Sequence, residues 1–519
     1  MNAMTDNPAL RSGRVELTAT AGVLLMLLVA RIAAIALDPG QLYADETQYW
    51  IWSRDLDWGY FSKPPMIAWI IALTTSLFGQ ADWAVRLAAP FLHTATAVFL
   101  GLTAARLFGA RTGMWTSIAW ITLPSVWLSA TVITTDGVLM TSWSAGLYCL
   151  VRLRQGGGWP SALGLGLAAG LGFLSKYAMI YFFLGTALAL VVDQPARQAL
   201  LTLKGAAALA LATVLILPNL AWNSAHDFAT VTHTAANANW GSNLFNFEEL
   251  GQFLVDQLAV FGPVFFPVLL VAIVQAVRGA RQSGPARPRL MLALYSLPIL
   301  VIVCLQAFIS RAHANWAASA YAAGLVLTVA FLLSGPAWRR YALYGSVGLH
   351  ALVGISMMVL AASVPLSEAA GVANAFKRVR GWDQSTAELS AAFERSGADA
   401  LVFDNRNDFH QMQRYGSVDG EALYMWLRHE GALNHAEQGW PLPDGYGAPV
   451  LIASERPEEI PVIERDFARF EAFGEITVEL GGDRRRHYDL FLAQDYRRVA
   501  RSPEYEAQIE RERASSSSD

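Results

Sequence analysis

Acidic and basic side chains gather early in the chain. The segment Leu42 to Pro65 holds Asp45, Glu46, Asp55 and Asp57, with Lys63 near its end, among seven aromatic residues. A further carboxylate, Asp136, lies in Thr134-Thr135-Asp136-Gly137, and Arg86 and Lys176 are isolated cations beside apolar runs. A carboxylate can take a proton from an acceptor hydroxyl. Fixed cations can stabilise the charge that gathers on a departing phosphate. Asp45 and Asp136 with Lys63, Arg86 and Lys176 therefore suit sugar transfer from a lipid-linked sugar phosphate. A purely structural use of the same residues also exists. Asp45-Glu46-Thr47-Gln48 fits a helix start, with a short acceptor first and Gln three residues on. Asp136 fits a helix cap, and Ser62-Lys63-Pro64-Pro65 fits the first turn of a helix. The two uses are compatible, because a capped carboxylate is held in one direction.

The elements that position these residues follow from composition. The chain has 519 residues, 54% of them apolar and 15% charged, and its mean hydropathy is +0.33. Soluble domains carry about 25% charged residues. Residues 1–365 hold 20 Lys and Arg and 14 Asp and Glu, whereas residues 366–519 hold 18 and 28. The respective net charges are +6 and −10. This is the pattern of a long membrane part followed by a water-exposed part. The acidic second part and the lack of a basic stripe speak against nucleic acid as a partner.

A membrane-spanning helix needs about 20 mostly apolar residues. Eleven segments qualify: about 17–37, 83–105, 112–131, 137–153, 159–175, 177–193, 200–220, 252–277, 290–309, 315–334 and 341–362. The apolar stretch 66–78 is shorter and suits a juxtamembrane or re-entrant helix. With residues 1–16 cytoplasmic, 14 basic residues fall in inner connections and only Arg54, Lys63, Lys176 and Arg311 in short outer loops. This satisfies the positive-inside rule. An odd number of spans puts the C-terminal part outside. The expected organisation is a cytoplasmic N-terminus (1–16), a transmembrane domain (17–365) with outer loops 38–82 and 221–250, an outer α/β domain (366–501) and a disordered tail (502–519). Outer basic residues go against the general bias, and Arg31 and Arg86 near outer helix ends join them. They either snorkel to headgroups or bind an anion.

Asp45-Glu46, followed by Tyr60-Phe61-Ser62-Lys63-Pro64-Pro65 and the short apolar stretch, resembles the first-loop signature of glycosyltransferase family 39. That family has the GT-C fold and contains protein O-mannosyltransferases and bacterial aminoarabinose-to-lipid A transferases. Thr135-Asp136-Gly137 is similar to the family's second acidic position. Leu174-Ser175-Lys176-Tyr177, Leu217 to Asn223 with His226, and Arg311-Ala312-His313-Ala314-Asn315-Trp316 are similar to further family segments. The resemblance covers roughly residues 17–365. It implies a polyprenyl-phosphate-sugar donor, reaction at the outer face of the inner membrane, and inversion at the anomeric carbon. By the same resemblance Asp45, beside Glu46, is the general base or acceptor-orienting carboxylate. Lys63 contacts the donor phosphate and Asp136 organises the acceptor or the basic cluster. Tyr60, Arg311, His313 and Asn315 join Arg86 and Lys176 as substrate contacts. The sequence departs from the aminoarabinose branch at Gln48, where that branch tends to have Arg, and also at Ala44 and Ser62. These changes fit a hexose or hexuronic acid, and an acceptor that is a glycolipid such as lipid A, a glycan or a protein.

Other residues carry less. His226 and His233 are seven apart, a spacing with no strong metal-ligand meaning, so His226 reads as structural or as an acceptor contact. No ligand set for a metal or other cofactor stands out. The glycines of Gly164 to Gly172 sit in an apolar run and suit close helix packing. Cys149 and Cys304 lie in separate apolar runs and read as packing residues. In the last third, 399–403, 448–453, 476–480 and 488–493 have strand character. Trp382 to Arg395 and Pro457 to Phe470 have helical spacing. Asp404, Asn405, Arg406 and His410 form a polar cluster suited to a loop and helix start. The competing function is a non-catalytic lipid or solute transporter. It calls for midplane charges and internal repeats, and neither is evident.

Overall fold

The computed structural model describes residues 8–236, 245–280 and 287–516. The chain divides into two compact units. The first runs to Asp38 and resumes over Leu56–Val359; the second joins Pro39–Asp55 to the chain from Leu360 onward. Part of the segment expected as the first outer loop of the membrane domain thus packs with the C-terminal residues.

The first unit is helical. Each of the eleven segments expected to span contains helix. Among the described residues six helices are long and apolar enough to cross a membrane: Val15–Leu37, Asp82–Phe108, Leu203–Ala225, Pro288–Ile309, Ala314–Leu333 and Ala337–Ala361. Two bent pairs raise the number to eight, Tyr177–Val192 with Gln194–Leu200 (114°) and Phe247–Val260 with Phe265–Gly279 (103°). The reasons for the smaller number are local. The expected span 112–131 is broken into Ala110–Thr122 and Pro124–Ser129, because Pro124 has no N–H to continue the ladder. The helix Thr135–Arg154 carries Asp136, Arg152 and Arg154. Trp159–Ser175 has only 17 residues. The 103° bend lies at Gly262, whose φ of +105° suits glycine. A side chain there would also collide with the His350 ring.

The helix Ala318–Leu333 is buried almost all round, as expected of a helix with no polar face. It lies against the helices Ala110–Thr122, Thr135–Arg154 and Phe265–Gly279. The glycine-rich run forms part of the helix Trp159–Ser175, which packs on Leu203–Ala225. A methyl group on Gly166 or Gly170 would strike the Ala208 carbonyl or the Leu215 side chain. Small residues let these backbones approach. Both cysteines are free and half-buried.

The second unit is built on a five-stranded sheet. Its strands are β1 (Ala400–Phe403), β2 (Leu423–Met425), β3 (Val450–Ser454), β4 (Phe467–Gly481) and β5 (Arg484–Tyr496), in the order β2-β1-β3-β5-β4. β1 is parallel to β2 and β3, and β5 is antiparallel to β3 and β4. The residues of β1 and β3 are all buried, which fits central strands covered on both faces. One face packs Leu389, Phe403, Phe409 and Leu490; the other packs Trp426, Ile452, Ile463 and Tyr496. Gly481 and Gly482 turn the β4–β5 hairpin at φ +91° and +62°.

Two expectations fail in this unit. Residues 457–470 form helix only over Ile460–Glu464, and Phe467 already begins β4. Pairing along the length of β5 overrides the local helical spacing. The expected disordered tail contains the helix Pro503–Ser516. It is held by the burial of Ile509 to 2% exposure and by a two-pronged Arg428–Glu506 ion pair at 2.8 Å.

Candidate functional site

In the first unit Asp136 opens the helix Thr135–Arg154. The cap is Thr134, whose hydroxyl accepts the Gly137 N–H at 3.4 Å. Asp136 is therefore not spent on capping. Its Oδ1 accepts from Lys176 Nζ at 2.7 Å and its Oδ2 from Asn315 Nδ2 at 3.0 Å. The pair is half-buried, with side-chain exposures of 24% and 20%. Lys176 lies in extended backbone that ends the helix Trp159–Ser175, so its side chain leaves the helix where the chain turns. Three sequence-distant segments thus meet at one carboxylate.

Tyr177, next to Lys176, extends the network. Its hydroxyl donates to Asn219 Oδ1 and accepts from Asn223 Nδ2, each at 2.9 Å. Asn219 in turn donates to the Trp58 carbonyl at 2.6 Å. The 57–63 loop is tied down from several sides. The Tyr60 hydroxyl accepts the Asp57 N–H at 3.1 Å, and the Tyr60 carbonyl accepts from Thr230 at 2.6 Å. The Tyr60 N–H donates to the Lys63 carbonyl at 3.0 Å. Gly59 leaves room for the Trp222 ring, and Trp222 donates to Asp57. The helix that follows is Met66–Phe78, and it starts after Pro64-Pro65.

The remaining expected contacts fall as follows. Arg86 is buried and pairs with Asp38 at 3.0 Å, so its charge is already balanced. His226 closes the helix Leu203–Ala225, stacks on Trp222 at 4.0 Å and hydrogen-bonds the Trp222 carbonyl at 2.8 Å. Arg311 and His313 are exposed in the segment between the helix Leu297–Ile309 and the turn Ala314–Ala317. His313 lies edge-on to Trp316. Tyr177, Asn219 and Asn223 lie in the family-like segments, and Asp57 among the acidic residues of the first loop, but the sequence assigns none of them a role. Two asparagines four residues apart in an otherwise apolar helix were the signal that could have found them.

In the second unit Asp45 and Glu46 lie in the first turn of the helix Ala44–Trp52. The capping register is two residues earlier than the sequence suggested. Tyr43 is the cap, and its N–H donates to Glu46 at 3.0 Å. Glu46 is buried, whereas Asp45 keeps 63% of its side chain exposed and pairs with Arg406 at 3.3 Å. Arg406 opens the helix Arg406–Tyr415, whose start is capped by Asn405. Behind it, Asp404 accepts from Ser454 at 2.8 Å and pairs with Arg456 at 3.1 Å. Burial pushes the Asp404, Asp408 and Glu455 carboxyls up, Asp408 furthest, with its acidic neighbours adding to the effect. Burial also pushes His410 down to about 3 and His435 down to about 4.

Among the described residues, Glu475, His487 and Asp489 offer ligand atoms within 4.8 Å of one another. They sit across the β4–β5 pair, where Glu475 faces Asp489. His487 also bonds Thr477 at 2.8 Å. Such cross-strand neighbours have no signature in linear spacing.

Helices of this length and apolarity make the chain a multi-pass membrane protein, and comparison with known proteins gives its family. A family model described as dolichyl-phosphate-mannose-protein mannosyltransferase matches residues 62–222. The lipid A galacturonosyltransferase RgtD of Rhizobium johnstonii is 35% identical over 443 residues, covering 84% of this chain and 90% of that protein. An undecaprenyl phosphate-α-4-amino-4-deoxy-L-arabinose arabinosyl transferase of Sodalis glossinidius is 31% identical over 176 residues, covering 30% of this chain and 32% of that one. The crystal structure of ArnT from Cupriavidus metallidurans bound to undecaprenyl phosphate superposes with a TM-score of 0.63 at 17% identity, covering 92% of this chain and 97% of that one. The chain belongs to the GT-C family of membrane glycosyltransferases. Its activity is glycosyl transfer.

Proposed function

We propose that this glycosyltransferase moves a hexuronic acid of the galacturonic type from a polyprenyl-phosphate donor to a lipid A-type glycolipid at the outer face of the inner membrane. The observation that carries this reading is the 35% identity, over 90% of its length, to a protein named as a lipid A galacturonosyltransferase. The donor class draws further support from the relative named for an undecaprenyl-phosphate-linked sugar. In this reading the N-terminus is cytoplasmic, the eleven segments cross the bilayer, with 112–131 as a broken helix, 159–175 as a short one and 137–153 in a helix with charged ends, and residues 366–501 are periplasmic.

The acceptor hydroxyl attacks the anomeric carbon. Asp45 takes its proton as that bond forms. The bond from the anomeric carbon to the phosphate oxygen breaks, and polyprenyl phosphate leaves with the electron pair. Lys63, with Arg311 and His313, meets the phosphate or the sugar carboxylate. Asp136, held by Lys176 and Asn315, orients the acceptor. Tyr60, Arg86 and His226 hold the surrounding segments through the contacts described above, and Glu46 holds the start of the helix that carries Asp45.

The test uses purified protein with a polyprenyl-phosphate galacturonic acid donor and lipid A acceptor, followed by mass spectrometry. The expected product is lipid A heavier by one hexuronic acid, and Asp45→Asn abolishes it while membrane insertion is kept. Transfer of aminoarabinose in preference to galacturonic acid would overturn the sugar assignment. Full activity of Asp45→Asn would overturn the role of Asp45.

A further inference from the structure

The helix Ala44–Trp52 has nine residues. An isolated helix of that length is not stable in water, so something must hold it. Within the second unit the holder is the helix Arg406–Tyr415. The Gln411 amide accepts from Thr47 at 3.2 Å and donates to the Leu42 carbonyl at 2.9 Å. The Tyr415 hydroxyl accepts the Leu42 N–H at 2.9 Å. The Arg414 guanidinium lies over the Trp50 ring at 4.3 Å. Trp52 is buried to 2% exposure and meets the His435 ring edge-on at 5.5 Å. Backbone contacts just before the helix add to this, with Gln41 N–H donating to the Val379 carbonyl at 2.7 Å.

One contact has a different character. Arg406 reaches Asp45 Oδ1 with one nitrogen at 3.3 Å and Gln48 Oε1 with another at 3.1 Å. The pair is exposed, 39% for Arg406 and 63% for Asp45, so it contributes little to stability. Its geometry does something else. A guanidinium is a planar fork with fixed donor directions. Anchored on Gln48, it fixes where its other nitrogen can meet Asp45. Arg406 is itself oriented by a capped helix start. Gln48, one turn after Asp45, is neutral, so the only guanidinium at this carboxylate among the described residues comes from Arg406.

We infer that Arg406 is a positioning residue for Asp45, and that the helix Arg406–Tyr415 is the template on which the acidic helix is aligned for catalysis. The inference rests on the reading of Asp45 as the proton-accepting carboxylate. It makes the C-terminal residues part of the enzyme's working core.

The test compares the full-length wild type, Arg406→Gln, Arg406→Lys and the double variant Arg406→Gln with Gln48→Arg, each in lipid nanodiscs with a polyprenyl-phosphate sugar donor. Residue 48 is three positions after 45, so an arginine there reaches Asp45 from its own helix. Arg406→Gln should lower kcat by about ten- to hundredfold, the scale of a small misplacement of a reacting group, with KM for the donor unchanged. Arg406→Lys should fall between, because an ammonium lacks the fork. The double variant should recover to within about threefold of the wild type, since it restores a guanidinium beside the carboxylate. A purely structural Arg406 would not be rescued from position 48. A wild-type kcat in Arg406→Gln, a double variant no better than Arg406→Gln, or loss of folded protein that accounts for the loss of rate in both single variants overturns the inference. Asp45→Asn separates the two claims. If it retains activity, the reading of Asp45 fails. If it is inactive while Arg406→Gln is normal, only the positioning role fails.

Discussion

Asp136 is held on both oxygens, with a cation on one and an amide on the other. Both partners are replaceable one at a time. Asn315→Ala removes a single hydrogen bond and should cost about 1 kcal/mol of stability, read as a small drop in the thermal midpoint. Lys176→Met leaves Asp136 without its cation. It should reduce transfer more than Asn315→Ala does at equal protein folding, and a steady-state assay of both variants checks the order. Equal effects would mean that Asp136 is held by shape alone. The sequence pointed to Asp45 and Asp136 by residue type and setting. It misjudged their local use, because Tyr43 and Thr134, not the aspartates, occupy the cap positions. The bonds that Asp136 makes join residues 40 and 179 positions away, and no short-range pattern encodes these.

At the scale of elements, the helix Arg406–Tyr415 combines support for the acidic helix with a buried titratable side. His410 stacks near His435, with ring centroids 6.3 Å apart, and lies next to Arg406 and Gln413. Its value falls from the usual 6.5 to about 3 through burial. Between these limits the unfolded chain binds a proton that the fold does not. Stability therefore falls as pH drops below about 6.5, by up to about 1.4 kcal/mol per pH unit for each such imidazole. Asp408 works in the opposite sense, since its carboxyl is raised by burial. The comparison with His410→Gln isolates the histidine. Its thermal midpoint should decline less steeply than that of the wild type between about pH 6.5 and 4.5, and parallel curves would contradict the assignment. A second element-scale prediction concerns the final helix. Ile509→Ala should cost about 2–5 kcal/mol and loosen Pro503–Ser516, measured as faster proteolysis after Arg501. The acidic, serine-rich composition hid this helix. Its anchors, Ile509 and Glu506, are single residues whose partners lie elsewhere in the unit. The short buried strands β1 and β3 were visible as apolar runs. The start of β4 was not, because its helical spacing is overruled by β5.

Across the whole molecule, the split between 34 charges in residues 1–365 and 46 in residues 366–519 marked a membrane part and a sheet-bearing part. Apolar runs showed where the helices lie. They did not show the break at Pro124 or the bends after Val192 and at Gly262, and six to eight helices pass as candidate spans where eleven segments were expected. Nor did they show that Pro39–Asp55 packs with the C-terminal residues, since that depends on Gln411, Arg414 and Tyr415, some 370 positions further on. Family membership and glycosyl transfer follow from the relatives; the sugar, the donor and the roles of single residues form the proposed account. Its central claim is transfer of a hexuronic acid with Asp45 as base. The most direct measurement is a single-turnover assay of the purified wild type and Asp45→Asn, with polyprenyl-phosphate galacturonic acid and lipid A, reading free polyprenyl phosphate and modified lipid A together. The account predicts equal amounts of both products from the wild type and neither from Asp45→Asn. Modified lipid A formed at the wild-type rate by Asp45→Asn, or no modified lipid A from the wild type, would contradict it.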